Sequence, residues 1–214
     1  MRKNEQDFFV ELCNFTDPDI EKLEELVNDC ATPCVLGHIF FNRMQAVAYG
    51  TLKDVGLLNK VNREFRNSLA SAYAQNVEKN DSFFACLKKL SGILINHLGK
   101  YAMLKGAVLC GLYPSGYRTS NDIDLLVRAK DVTDIGNTLS LAGFRQGNIK
   151  NGEFIPATRK EIIESKMMRG ETVPYILEVN LPYMKYLEVD INFSLDYKNG
   201  DDTIIDKILS DVTE

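Results

Sequence analysis

Two aspartates lie two residues apart at the start of an apolar run, where Asp122 and Asp124 precede Leu125, Leu126 and Val127. Side chains at positions i and i+2 of a β-strand project from the same face, so this spacing places both carboxylates side by side. Like charges this close repel each other unless a cation or a shared proton lies between them. Because oxygen ligands suit Mg²⁺ or Mn²⁺, the pair predicts a divalent-metal site at the start of a buried strand.

A glycine turn lies upstream of the two aspartates. The short strand-like run that ends at Leu104 and Lys105 breaks at Gly106 and continues as the apolar helical pattern AVLCGLY. Glycine at such a turn lets the backbone approach a phosphate, and the first N–H groups of the helix are free to bind it.

Polar side chains between the glycine turn and the aspartates could also bind phosphate. Ser120 and Asn121 directly precede Asp122 and can donate to phosphate oxygens. Lys105 and Arg118 are candidate counter-charges for a triphosphate. Arg118 could equally pair with a surface carboxylate.

The order of strand, glycine turn, short helix, polar loop and D-x-D strand resembles the nucleotidyltransferase superfamily that includes DNA polymerase beta. More narrowly, the run LKGAVLCGLYP…R…NDIDLLV is similar to a group of uncharacterised bacterial nucleotidyltransferases. The shared features are the Lys-Gly opening, the Tyr-Pro loop and an Arg ahead of the acidic pair. The resemblance extends from Met103 to Gly147 and more thinly to Leu195, and is not detectable before residue 100.

The resemblance implies a third carboxylate on a neighbouring strand. Glu188 and Asp190 in the run YLEVDINF are flanked by apolar residues and face the same side of one strand. Asp190 is favoured because the narrower family has an acidic residue followed by an apolar residue, a histidine and an aromatic. Asn192 replaces that histidine, and Glu188 remains the alternative.

The implied activity is metal-dependent transfer of a nucleoside monophosphate from an NTP, ATP among them, to an acceptor hydroxyl. Mg²⁺ or Mn²⁺ would be held by Asp122, Asp124 and Asp190, the implied catalytic residues, as in two-metal phosphoryl transfer. Gly106 and Ala107 occupy the place of the family's phosphate-contacting Gly-Gly or Gly-Ser pair. Ala107 lacks the serine hydroxyl, so only backbone N–H groups remain there.

Composition limits the possible partners. The 214 residues carry a net charge of −5, with an isoelectric point near 5.2, which argues against a surface that binds duplex DNA. The sequence has no apolar run of the ~20 residues that a membrane span needs, and no secretory signal, so we expect a cytoplasmic protein. The expected partners are an NTP and an acceptor that is a small molecule, a protein or an RNA end.

The periodicity of apolar residues predicts two regions. Residues 1–99 are expected to form a helical region, including a helix from residue 34 to 50 that follows Pro33. Residues 100–214 are expected to form an α+β nucleotidyltransferase-like domain around a mixed sheet. Its predicted strands include Tyr101–Lys105 and Asp122–Val127, and a turn is predicted at Asn151-Gly152. Many related enzymes continue with a further helical region, so the resemblance implies that this domain is truncated at its C-terminus.

A different class of function is compatible with the same sequence. Ala107 in place of Gly or Ser, and Asn192 in place of His, favour a non-catalytic nucleotidyltransferase-like module. Such a module would bind a nucleotide or a protein partner, for example as a regulator or as one component of a toxin–antitoxin pair. Convergence of the three carboxylates on an open cleft would favour the enzyme.

Overall fold

The computed structural model describes residues 1–95, 97, 99–168, 170–195 and 203–211. Contacts divide the chain into two compact units. The helical unit comprises Met1–Asn80 and Tyr113–Thr119, and the sheet unit comprises Asp81–Leu112 and Ser120–Glu214. The predicted division into a helical region of residues 1–99 and a nucleotidyltransferase-like domain of residues 100–214 stays a prediction.

Five of the described helices contribute to the helical unit, and each buries apolar side chains there. They are α1 (Lys3–Cys13), α2 (Ile20–Cys30), α3 (Pro33–Phe41), α4 (Gln45–Asp54) and part of α5 (Arg63–Leu94). Their core includes the fully buried Phe8, Leu23, Ile39, Leu52 and Leu69. Even the 32-residue α5 is not apolar enough to cross a membrane, and neither is any other helix among the described residues.

The predicted single helix from residue 34 to 50 is wrong, because two helices cover this range. α3 ends at Phe41 and α4 begins at Gln45. Between them Arg43 has a φ of 59°, which lies in the left-handed region and cannot continue a right-handed helix. The stop signal is Asn42, the C-cap of α3, whose side chain donates a hydrogen bond to the His38 carbonyl at 2.9 Å, and no glycine or proline reinforces it.

The Glu5 carboxylate forms part of a capping box at the N-terminus of α1. Glu5 accepts hydrogen bonds from the backbone N–H of Arg2 at 2.8 Å, from the Arg2 guanidinium at 3.2 Å and from the Thr32 hydroxyl at 3.0 Å. These bonds, first of all the one from the Arg2 backbone, lower the pKa of Glu5 from 4.5 to about 2. The charged form is therefore the form that the fold stabilises.

Glu5→Gln is expected to lower the urea midpoint of unfolding at pH 7, because the amide is uncharged and cannot accept all three bonds. A depressed pKa contributes stability above the ordinary value of 4.5 that is lost as the pH falls through about 2. The difference between wild type and variant should therefore shrink between pH 4.5 and pH 2. An equal difference at pH 7 and pH 3 would contradict this role of Glu5.

The described strands of the sheet unit form one six-stranded mixed sheet in the order β1-β2-β6-β5-β3-β4. The strands are β1 (Tyr101–Leu104), β2 (Asp122–Val127), β3 (Arg145–Lys150), β4 (Glu153–Pro156), β5 (Tyr175–Leu181) and β6 (Met184–Asn192). β2 and β6 run parallel, and the other neighbouring pairs run antiparallel. This sheet, preceded along the chain by helices, confirms the predicted α+β fold.

The helices of the sheet unit follow strands along the chain. They are α6 (Gly106–Leu112), α7 (Val132–Leu141), α8 (Arg159–Met168) and α9 (Thr203–Ser210), with the second part of α5 also in this unit. Gly143, two residues after the end of α7, has a φ of 95°, a conformation that glycine adopts without strain.

The two faces of β2 differ in chemistry. Ile123, Leu125 and Val127 are completely buried in the main core, together with residues of β6 such as Val189 and Ile191. The opposite face begins with the two aspartates and continues to Leu126, which packs against apolar residues of α9. One strand therefore contributes to the core and presents carboxylates at the same time.

β3 and β4 form a hairpin around Asn151 and Gly152. Both turn residues have positive φ, at 53° and 78°, as a two-residue turn of type I′ requires. The turn agrees with the sequence prediction, but β4 was not predicted. Its four residues are mostly exposed and end in Pro156, so they lack the alternating pattern of a half-buried strand.

Candidate functional site

Four carboxylates lie on one face of β2 and β6. The parallel register pairs Asp122 with Glu188 and Asp124 with Asp190. Since alternate residues of a strand share a face, all four side chains project from the same side of the sheet. We call these four residues the acidic face. The residues between them, Ile123 and Val189, are fully buried on the other side.

The two carboxyl groups of β6 on the acidic face, those of Glu188 and Asp190, have raised pKa values. Burial, followed by the charges of Glu188, Asp124, Asp122 and Glu171, raises the pKa of Asp190 from 3.8 to about 7. The pKa of Glu188 is also raised, by burial and by Asp122. Both candidates for the third carboxylate therefore lie on the acidic face, Asp190 beside Asp124 and Glu188 beside Asp122.

Asp124 is the most buried of the four carboxylates, with 7% of its surface exposed. Its Oδ1 atom lies 3.2 Å from the Lys105 ammonium and accepts a hydrogen bond from the Asn192 side chain at 3.4 Å. Lys105, directly after β1, has a φ of 44°, so the chain is in a left-handed conformation where it turns into α6. Asn192, which replaces the histidine that the resemblance implies, thus contacts Asp124.

Asp122 lies at the exposed edge of the acidic face. Its Oδ1 atom accepts a hydrogen bond of 2.8 Å from the Ser120 hydroxyl. The Ser120 hydroxyl therefore positions the Asp122 carboxylate. The same hydroxyl is a predicted hydrogen-bond donor to phosphate. Asn121, between them, is exposed.

Gly106 begins α6 and packs against the loop before β2. A Cβ atom added to Gly106 would lie 2.5 Å from Ser120 Oγ and 3.1 Å from Ser120 Cβ. The close approach of this loop thus favours glycine here, whether or not a phosphate binds. The side chain of Ala107 is buried in the main core, which explains a small apolar residue at this position.

Arg118 belongs to the segment Tyr113–Thr119 of the helical unit. It is half-buried, and its Nε atom has no hydrogen-bond partner among the described residues. Its predicted role as a triphosphate counter-charge stays a prediction, as do the nucleotide-binding roles of Gly106, Ala107, Ser120, Asn121 and Lys105.

The acidic face fits a divalent cation in donor chemistry and in backbone register. Its oxygen donors are those that Mg²⁺ and Mn²⁺ prefer. The side chains do not form a ready cluster, because no group of three or more His, Cys, Asp and Glu among the described residues is arranged to hold a metal ion. Lys105 instead supplies the positive charge next to Asp124.

Sequence reasoning missed two residues near β6. Glu171 forms an isolated bridge with Asn192, and Thr172 donates its backbone N–H to Ile191. Both line a cavity of about 470 Å³ that Asp190 also lines. They stand in the short segment between α8 and β5, where the local pattern carries no motif, so only the fold brings them next to Asp190.

A family model described as an uncharacterised nucleotidyltransferase matches residues 33–212. The chain belongs to this nucleotidyltransferase family, and this confirms the resemblance that the glycine turn and the D-x-D strand indicate. The match begins before residue 100, so it includes most of the helices for which the sequence alone showed no resemblance. No curated protein and no solved structure matches the chain.

Gly106→Ala is expected to destabilise the protein by about 1–3 kcal/mol, because the new methyl group displaces Ser120 in a packed turn. In a Ser120→Ala background the hydroxyl that the methyl group would strike is absent, so the same change should be milder. Urea unfolding of the four proteins of this double-mutant cycle measures the coupling. Equal losses in both backgrounds would show that Ser120 is not the constraint.

Asp190→Asn is expected to raise the free energy of unfolding at pH 8 in EDTA, because it removes a charge that burial, and then the neighbouring carboxylates, destabilise. The gain should be on the order of 1 kcal/mol, since one pKa unit corresponds to about 1.4 kcal/mol and solvent reduces the effect at a partly exposed group. Urea unfolding measures it, with Asp17→Asn at an exposed site of the helical unit as control. A loss of stability in Asp190→Asn would contradict an unfavourable charge at this position.

Proposed function

We propose that this protein is a metal-dependent nucleotidyltransferase that transfers a nucleoside monophosphate from an NTP to a hydroxyl acceptor. The observation that carries the proposal is the register of β2 and β6, which aligns Asp124 with Asp190 and Asp122 with Glu188. Aligned carboxylates in partly buried positions repel each other, and a divalent cation with a bound triphosphate offsets that repulsion. Membership in the nucleotidyltransferase family supports the same reaction class.

The reaction would be an in-line displacement at the α-phosphorus of the NTP. The acceptor oxygen forms a bond to this phosphorus, the bond to the bridging oxygen breaks, and pyrophosphate leaves. The proton of the attacking hydroxyl passes to a carboxylate of the acidic face. A bound Mg²⁺ or Mn²⁺, held by Asp122, Asp124 and Asp190, would neutralise charge on the triphosphate.

Residues around the acidic face would place the triphosphate. Ser120 and Asn121 can donate hydrogen bonds to phosphate oxygens, with the backbone at Gly106 and Ala107 close by. Lys105 is exposed over most of its side chain, so its ammonium can move from Asp124 to a phosphate.

A non-catalytic module is the second candidate, and the contact between Lys105 and Asp124 favours it. If the lysine stayed on Asp124, it would occupy the place that a cation needs. The protein would then bind a nucleotide or a protein partner without turnover, as a regulator or a toxin–antitoxin component. The enzyme and the non-catalytic module are therefore distinguished first by whether the wild-type protein turns over NTP, and then by the loss of that turnover in an aspartate variant.

The test is incubation of the protein with each labelled NTP and Mg²⁺ or Mn²⁺, with pyrophosphate release and label transfer as readouts. Asp124→Asn and Asp122→Asn should each lower turnover by at least about 100-fold, because each removes a charge that the transition state needs. Asp17→Asn, the same substitution at an exposed site of the helical unit, should leave turnover unchanged.

Two results would overturn the proposal. The first is full turnover by Asp122→Asn or Asp124→Asn, which would place the chemistry elsewhere. The second is an absence of turnover with all NTPs and both cations while a nucleotide still binds, which would favour the non-catalytic module.

A further inference from the structure

A short segment of the helical unit links α6 to β2. This linking segment, Tyr113–Thr119, belongs by its contacts with Met1–Asn80, whereas Leu112 before it and Ser120 after it belong to the sheet unit. Ser120 donates the hydrogen bond of 2.8 Å to the Asp122 carboxylate. The chain that leads into the acidic face is therefore held by residues of the helical unit.

Helix α5 holds the middle of the linking segment. The Asn76 side-chain amide donates a hydrogen bond of 3.0 Å to the Gly116 carbonyl. Gly116 has a φ of 82°, and a Cβ atom there would lie 2.9 Å from Val77 Cγ2 and 3.3 Å from the Tyr73 ring. Glycine fits both this backbone conformation and this close approach. The same helix thus fixes the carbonyl and the α-carbon of Gly116.

Tyr117 fixes the following residue of the linking segment. Its hydroxyl lies directly over Gly50 of α4, where a Cβ atom would overlap it, and it hydrogen-bonds with Asp54. Burial, and next the charge of Asp54, raise the pKa of Tyr117 above its ordinary value of 10, so the hydroxyl keeps its proton. The Phe15 ring meets the Tyr117 ring edge-on, with 5.2 Å between the centroids. Contacts from α4 and Phe15 therefore add to those from α5.

The anchored residues lie close to Asp122 along the chain. Three residues separate Gly116 from Ser120, so this link spans at most about 14 Å. A link this short transmits a displacement of Gly116 to Ser120, and the Ser120 hydroxyl transmits it to the Asp122 carboxylate. A displacement of about 1 Å at a reacting centre can lower a rate on the order of 100-fold. The contacts of the linking segment are therefore strong enough in principle to control catalysis.

We propose that Asn76 is a positioning residue for Asp122 and acts through the linking segment. The proposal rests on the proposed function, because it names a residue that aligns the acidic face for that reaction. The Asn76 amide fixes Gly116, and the chain from Gly116 to Ser120 then fixes the direction of the Asp122 carboxylate. This gives a role to the helical unit, which contributes none of the four carboxylates.

The first test is hydrogen–deuterium exchange of the full chain without nucleotide. Asn76→Ala removes the hydrogen-bond donor and keeps a residue of high helix propensity in α5. Exchange should become at least about threefold faster in residues 113–122 and stay unchanged in β3, because only the hold on the linking segment is lost. Asn67→Ala, the same substitution at an exposed position of α5, should leave exchange as in the wild type.

The second test is turnover of NTP. Asn76→Ala should lower kcat about tenfold and leave KM within about twofold, because Asn76 acts on the alignment of Asp122 and not on NTP binding. Asn76→Gln keeps an amide donor and should recover part of kcat. Tyr117→Phe, which removes the hydroxyl at Asp54 and keeps the ring, should also lower kcat. If Asn76→Ala does not fold, Tyr117→Phe supplies both measurements.

The outcomes separate this inference from the proposed function. Unchanged exchange in residues 113–122, or faster exchange with an unchanged kcat, would overturn the positioning role and leave the proposed function standing. Faster exchange in a protein whose wild type turns over no NTP would support the anchoring by Asn76 and overturn the proposed function. A loss of kcat in Asn67→Ala equal to that in Asn76→Ala would also count against the positioning role.

Discussion

The parallel pairing of β2 with β6 is the constraint on which the site depends. It places Asp122 opposite Glu188 and Asp124 opposite Asp190, so four carboxylates share one face of two neighbouring strands. Burial of the charge, and then repulsion among the carboxylates, opposes this arrangement, and together they raise the pKa of Asp190 to about 7. Burial of the other face of the same strands must outweigh that repulsion. The fold thus holds four carboxylates together on one face of the sheet.

The apolar residues of β2 and β6 are what hold this register. Ile123, Leu125, Val189 and Ile191 are completely buried in one core. A slip of one residue would turn these side chains to the opposite face and bring the carboxylates into the core, at a cost of many kcal/mol. The alternation of apolar and acidic residues along β2 and β6 therefore determines both which residues pack in the core and which residues form the acidic face. The close turn at Gly106 then brings the loop before β2 against this edge.

Local features of the sequence predicted much of this fold, and long-range pairing explains what they missed. The bounds of β2 and the shared face of Asp122 and Asp124 follow from alternation within six residues. β2 pairs with β6, which lies more than sixty residues further along the chain, and the residues of neither strand specify this pairing. The sequence alone therefore left Glu188 and Asp190 as alternatives for the third carboxylate. Register places both on the acidic face. The position of Thr172 also depends on long-range pairing, because a backbone hydrogen bond to Ile191 of β6 places it next to Asp190.

The most direct measurement of the central claim is the position of Mn²⁺ in a crystal of the protein with a non-hydrolysable NTP analogue, located by anomalous scattering. The account predicts a peak within coordination distance, about 2.0–2.3 Å, of carboxylate oxygens of Asp122 and Asp124. It also predicts that Lys105 has left Asp124 and that the triphosphate lies over the acidic face. A peak elsewhere, or an acidic face where Lys105 still pairs with Asp124 while the nucleotide binds, would contradict it.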